Sequence, residues 1–444
     1  MTHLSVREWG KIPILAKPSA GAFTVPQAEA LVAAAQAHPI GGEDGSGILS
    51  DHRHYLKARQ AVGVIAAPGC SLEILPKVDP DAPEEDAPTV RARLIGLLDI
   101  ALGLDIGAGA STNMARGAES LLDILIRLFA ERLLAETRRG LPRLYVAHED
   151  DLPALRGRLD VMRQFTINAV RPDRLACRYD VLSQDIPLMQ VMAVSVLTLR
   201  KHARAPDTQR LLDELRFVLA DVSLVPVSTL PWDKVRIDRT NRRWGNLFAL
   251  AKLLLKRDWQ TTRHEALSRD GLTLLFPMND LFESAIAALL RRALAGSGVE
   301  VVEQGGLKYC LGDWALDQDC KGSTFQTRPD IILKQRGKVL AVIDTKWKGL
   351  SGDPLNRKKG VSQADVYQLM AYARLYHCQN LMLLYPCSPG ERSGEVKRFG
   401  IEGGKERLSI SRIDMAMAPR RIEAALAAIA GSFHVASNDF FRTA

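Results

Sequence analysis

Two oily runs close together, Ile331-Ile332-Leu333 and Val339 to Ile343, constrain this chain more than any other feature. Continuous apolar character over so short a length suits strands buried on both faces. Gln335 to Lys338 between them holds a glycine and reads as a hairpin turn. Charged residues close both runs. Arg328-Pro329-Asp330 precedes the first, and the second ends in Asp344-Thr345-Lys346. Side chains at i and i+2 of a strand share a face, so Asp344 and Lys346 point one way and Thr345 the other. With a three-residue loop centred on Gly337, Asp330 lies opposite Asp344, and the three charged side chains converge.

Two carboxylates about 4.5–5.5 Å apart across strands repel each other, and a divalent cation that ligates both removes that cost. Magnesium fits, because it prefers carboxylate and water oxygens. Metal-bound water is a better nucleophile at neutral pH. Lys346 would orient or deprotonate that water, or stabilise charge developing on a phosphate, so phosphodiester hydrolysis is the expected reaction. An acid at a strand end is often an ordinary turn residue, and Asp-x-Lys arises by chance in many chains. The Pro-Asp ahead of the first strand, with one helix upstream and one downstream, is what raises a nuclease-type core above that background. Glu283 lies one residue past the apolar stripe of its helix; it is either a third carboxylate bordering the site or a solvated helix-face glutamate. Gln368 and Tyr372, spaced i, i+4 on the following helix, share a face. They either hold a phosphate and position Lys346, or Tyr372 simply packs the helix.

At about 100–200 residues per domain, 444 residues allow two to four domains, and 47% hydrophobic with 25% charged residues lets each bury an ordinary core. The first hundred residues hold short β-type runs such as Val62-Gly63-Val64-Ile65 and Leu72 to Lys77. Val78 to Val90, with three prolines and five acids, reads as a solvated loop. From about Arg91 the periodicity turns helical. Helices are expected at Ala118 to Arg139, Pro187 to Arg200, Asp207 to Leu219 and Asn246 to Lys256, before a break at Arg269-Asp270-Gly271. The last third runs helix (Asn279 to Ala295), strands (Val299 to Glu303, Leu307 to Leu311 and the two oily runs), helix (Asp365 to His377) and strand (Leu381 to Tyr385). The fold class is multidomain α+β: a β-rich domain over 1–100, a mainly helical region over 101–265 and an α/β core over 266–444.

Lysine plus arginine exceed aspartate plus glutamate by 59 to 51, a net charge of +8, so a polyanionic partner is allowed. Thr327 to Gly360 alone holds nine basic residues against three acids. No signal peptide, no membrane-length apolar run and no Cys-x-x-Cys pair among six cysteines is visible, which suits a cytoplasmic protein that touches no membrane. No Gly-x-x-x-x-Gly-Lys-Ser/Thr exists, so the chain itself is expected to bind no nucleotide by that machinery. His3, His52, His54 and His148 lack metal spacing, and His377-Cys378 with Cys387 read as structural.

Taken together, the motifs resemble the McrC family, nuclease subunits of McrBC modification-dependent restriction systems with a PD-(D/E)xK core. The resemblance covers most of the chain. It runs from Val6-Arg7-Glu8-Trp9-Gly10 through Leu155 to Asp160, Cys177-Arg178-Tyr179-Asp180 and Met278 to Glu283, ending in Arg328-Pro329-Asp330, Ile343 to Lys348 and Asp365 to Tyr372. One departure is Leu188-Met189-Gln190 after Asp185-Ile186-Pro187, where the family leads one to expect an asparagine. The resemblance implies Asp330, Asp344 and Lys346 as catalytic residues, double-stranded DNA bearing 5-methylcytosine-type modification as substrate, and an McrB-like AAA+ GTPase hexamer as partner. Apart from the resemblance, residues 1 to about 265 are far more than a nuclease needs and the chain lacks a nucleotide loop, so that stretch, with the helical region 101–265 foremost, is expected to dock the partner. The competing reading is a non-cutting adaptor that binds and activates the GTPase.

Overall fold

A computed structural model describes residues 2–42, 45–78, 85–104, 119–171, 173–256, 272–313, 322–350, 358 and 360–438. The architecture is mixed α+β with several sheets. Its contacts group into two compact units, Met1–Leu121 with Gln260–Ala444, and Leu122–Trp259.

The first unit begins with β1 (Thr2–Arg7), β2 (Lys11–Leu15), β3 (Phe23–Thr24), α1 (Val25–Gln36), β4 (Leu49–His52), β5 (Tyr55–Ala58), β6 (Ala61–Ala67), β7 (Cys70–Leu75) and α2 (Ala87–Leu102). Phe23, Leu31, Ile48, Leu56, Ile65, Leu72 and Ile74 form its core. The loop expected over Val78 to Val90 ends early: 79–84 lie outside the described residues, and α2 starts at Ala87. Asp86 accepts the Thr89 backbone N–H, and Pro88 sits in the first turn, so these residues start a helix rather than prevent one.

The second unit holds α3 (Leu121–Arg138), β8 (Leu144–Leu152), β9 (Arg158–Leu159), α4 (Val161–Thr166), β10 (Leu175–Ser183), α5 (Pro187–His202), α6 (Pro206–Val218) and α7 (Gly245–Ala251), the last continued by a π-turn, Lys252–Lys256. The helices expected here are present, but the region is not mainly helical in its first half. β8 and β10 pair antiparallel throughout their lengths, with β9 on the far side of β10. The sequence hid this sheet because its strands bury almost nothing: of their residues only Ala176 and Cys177 are buried, so no covered apolar face marks them. Cross-strand pairs such as Arg178 with Glu149 at 3.0 Å, and the Tyr179 hydroxyl donating to Asp150 at 2.7 Å, hold it instead of oily alternation.

The first unit resumes with β11 (Leu274–Pro277), α8 (Met278–Ala293), β12 (Val299–Glu303), β13 (Tyr309–Leu311), β14 (Thr324–Gln326), β15 (Ile331–Gln335), β16 (Lys338–Thr345), α9 (Gln363–Tyr376), β17 (Asn380–Cys387), β18 (Gly394–Gly400), β19 (Arg407–Asp414) and α10 (Pro419–Asn438). A six-stranded sheet runs β12-β15-β16-β17-β19-β18, with β16, β17 and β19 parallel and the flanking pairs antiparallel. Leu369, Tyr372 and Tyr376 of α9 pack on Val342, Leu381, Leu383, Leu408 and Ile410. α8 packs on α10.

The divisions drawn from the sequence at 100 and 265 differ from this grouping. β11 adds to β6 as the fourth strand of the sheet β1-β7-β6-β11, and α8 packs on α2, so residues 1–100 and 266–444 belong to one unit. Gly63, at φ +125°, permits the join, because a Cβ there would collide with the Leu274 carbonyl. Among the described residues no helix is long and apolar enough to cross a membrane.

Candidate active site

The hairpin that carries the two acids is tighter than expected. Its turn is two residues, Arg336 (φ 50°) and Gly337 (φ 78°), both left-handed as a type I′ turn demands. Such a turn by itself would leave the acids one residue out of step. A β-bulge between Leu333 and Lys334 corrects this, since Lys334 pairs with Val339 but Leu333 with Ala341, and the register continues to Ile331 opposite Ile343. Leu340 is the extra residue, and its carbonyl accepts the Asn380 side-chain N–H at 3.0 Å. Asp330 and Asp344 therefore each sit one residue beyond the last described pair, the register expected of a three-residue loop reached by a different turn.

Asp344 is 1% exposed. Its Oδ1 has no hydrogen-bond partner, and its Oδ2 meets Lys346 Nζ at 2.8 Å. Asp330 Oδ2 accepts the Thr345 backbone N–H at 2.7 Å and its hydroxyl at 2.9 Å. Lys346 continues the parallel ladder through its own N–H to the Leu384 carbonyl, and its ammonium also lies 3.9 Å from Asp365. Burial, reinforced by each other's charge in the case of Asp344, holds both acids above the usual carboxylate range. Burial works against the charge on Lys346, but the Asp344 and Asp330 carboxylates outweigh it and raise its pKa.

Glu283 is a buried residue on the same side of the fold, not a solvated one. Burial and the Asp330 charge push its carboxyl up to about 8, and its Oε1 has no partner. Gln368 donates to the Tyr372 hydroxyl at 2.8 Å. Tyr372 packs in the core, yet its hydroxyl lies in the field of Asp344 and Asp330, which with burial raise its pKa. So Asp330, Asp344 and Lys346 are drawn together, Glu283 borders them, and Gln368 and Tyr372 stand behind. Among the described residues no three Asp, Glu, His or Cys side chains form a ready-made metal cage. The buried unpaired oxygens of Asp344 and Glu283 are nonetheless hard donors of the kind magnesium takes, and magnesium needs only one or two carboxylates when a phosphate and water complete its shell.

Several neighbours escaped sequence reasoning. Asp280, on the first turn of α8, is raised by burial and the Asp330 charge. Asp365 pairs with Lys348 at 3.1 Å, and Asn279 accepts the Trp347 backbone N–H at 3.0 Å. Their presence in Met278-Asn279-Asp280 and in the helix after the oily strands was visible, but their direction depends on packing. Of the basic residues expected between Thr327 and Gly360, Arg357 and Lys359 lie outside the described residues.

The family model described as McrBC 5-methylcytosine restriction system component matches residues 56–386. The chain belongs to that family. The match spans every candidate residue from Glu283 to Tyr372, in agreement with the McrC-like motifs. Among solved structures, a chain of the refined half-complex from the tetradecameric assembly of Thermococcus gammatolerans McrB AAA+ hexamers with bound McrC is 20% identical. That likeness covers 97% of this McrBC component and 100% of that chain, with a TM-score of 0.73. The cryo-EM structure of the Thermococcus gammatolerans McrBC complex is 23% identical over 66% of this chain and 88% of that one, with a TM-score of 0.54. At such identities the likeness establishes fold alone. No curated protein matches the McrBC component.

Proposed function

We propose that this McrBC component is a magnesium-dependent DNA endonuclease subunit with a PD-(D/E)xK core, cutting modified double-stranded DNA when assembled with an McrB-like AAA+ GTPase hexamer. The observation that carries the reading is the meeting of Asp330, Asp344 and Lys346 at the end of two oily strands, with a buried carboxylate oxygen left unpaired. Asp344 and Asp330, with Glu283 beside them, would hold the ion. When bound, magnesium supplies charge against the phosphate and a more acidic water. Lys346, held 2.8 Å from Asp344, would set a positive charge against the phosphate or orient or deprotonate the attacking water. The Thr345 N–H and hydroxyl keep Asp330 aimed.

The partner rests on family and fold: one neighbour is described as McrB hexamers with bound McrC. The second unit also exposes Met162, Phe165, Ile167 and Val170 around α4, a surface apolar enough to seek a partner. Cleavage of 5-methylcytosine plasmid with magnesium, GTP and the partner tests the proposal. Asp344→Ala and Lys346→Ala should each slow cutting at least about a hundredfold while GTP turnover stays stimulated. Normal cutting by either sinks the site. Stimulation without cutting by the unaltered chain would favour the adaptor reading.

A further inference from the structure

Glu8, at the exit of β1, is 1% exposed and is not one of the candidate site carboxylates. Its Oε2 accepts two N–H groups, the Lys77 backbone at 2.9 Å and the indole of Trp347 at 2.9 Å. Trp347 directly follows Lys346, at the point where the chain leaves the sheet. It is held from three sides: its backbone N–H donates to Asn279 Oδ1 at 3.0 Å, its ring lies 5.4 Å from that of Phe282, and its indole N–H is taken by Glu8. Asn279 and Phe282 both stand on α8, which also carries Glu283.

A lysine side chain has several rotatable bonds, so the place of its ammonium depends on the backbone direction at its own residue. For Lys346 that direction is set on one side by its bond to the Leu384 carbonyl and on the other by the clamp on Trp347. We propose that Glu8 is a positioning residue for the nuclease site, acting through the Trp347 indole to hold the Lys346 ammonium on Asp344. This rests on the nuclease reading. An amino-terminal strand thereby reaches the carboxy-terminal chemistry within one compact unit. The Lys77 bond shows that Glu8 also staples its own sheet, so a purely structural role must be separated from a positioning one.

The full-length chain, its GTPase partner, GTP, magnesium and 5-methylcytosine plasmid serve for the test, with cutting measured relative to stimulated GTP turnover. Glu8→Ala and Trp347→Phe, the latter keeping a ring but losing the N–H, should each lower kcat for cutting about tenfold or more without raising KM, because displacement of a catalytic group by a fraction of an ångström has that effect. The double variant should be no slower than the slower single one, since both remove the same contact. Glu8→Gln keeps an acceptor oxygen and should restore most of the rate. Should Glu8→Ala fold poorly, Trp347→Phe and Glu8→Gln still decide. Wild-type cutting by Trp347→Phe, a loss in Glu8→Gln equal to that in Glu8→Ala, or losses that multiply in the double variant would overturn the proposal. Asp344→Ala runs alongside: if it cuts normally, the nuclease reading falls and this one with it, whereas a dead Asp344→Ala beside an active Trp347→Phe overturns the Glu8 assignment alone.

Discussion

Glu8 shows how much a single buried carboxyl changes. Burial outweighs the Lys77 and Trp347 hydrogen bonds and pushes its pKa from 4.5 to about 7. The folded chain holds that proton more tightly than the unfolded one, so between these values folding takes up a proton and stability falls as pH rises. The contribution is fully present below about 4.5 and lost by about 7, and at about 1.4 kcal/mol per pH unit it amounts to roughly 3 kcal/mol. Urea unfolding of the full chain at stepped pH should show a slope of this sign, to which the raised Glu283, Asp344, Asp330 and Asp280 also contribute, and Glu8→Gln should make it shallower by Glu8's share; an equal slope in both would assign the whole effect to those other groups. At this scale the sequence was most legible where one period governs direction. Alternation along a strand suffices to place Asp344 and Lys346 on one face, and an oily run makes any charge at its end conspicuous. Glu8, Asn279 and Asp280 gave no such signal, because an acid or amide near an element's end looks the same whether it faces water or a neighbour far along the chain.

Among the elements, the β15–β16 hairpin is the one whose internal geometry decides the site. Its ends were readable from composition, its turn was not: a two-residue turn and a bulge reach the same register that a three-residue loop would have. The bulge leaves Leu340 without a strand partner, and Asn380 at the start of β17 supplies one. This carbonyl is only partly buried, so losing the bond costs about 0.5–1.5 kcal/mol, and Asn380→Ala should lower unfolding stability by that amount. Unchanged stability would mean that the bulge holds without the amide. The sheet β8-β10-β9 marks the opposite limit, since pattern reading finds strands by the apolar face they bury and these strands bury little.

For the whole molecule, the arrangement in sequence and the arrangement in space part company. The second unit is one continuous insertion, Leu122–Trp259, within a unit built from both ends of the chain. Deleting 122–259 and bridging the gap with a glycine-serine linker should leave a chain that unfolds in a single cooperative transition. A chain begun at Gly271 should not, because it separates β11 from β6, α8 from α2 and Trp347 from Glu8. Calorimetry of both decides; a sharp transition from the shorter chain would show that the carboxy-terminal half needs no amino-terminal sheet.

The sequence by itself determined the helices with clear periodicity, the two oily strands, and the shared face of Asp344 and Lys346, because these follow from repeats of 2 and 3.6 residues within short stretches; the bulge that sets Asp330 against Asp344 came only with the structure. The tertiary structure alone decided that the amino-terminal sheet is completed by Leu274–Pro277, that Glu283 is buried beside Asp330, and that Glu8 grips Trp347. Those contacts join residues hundreds of positions apart or depend on which helix face is covered. Burial and Coulomb interaction act through space, and local periodicity carries no record of distance across the chain.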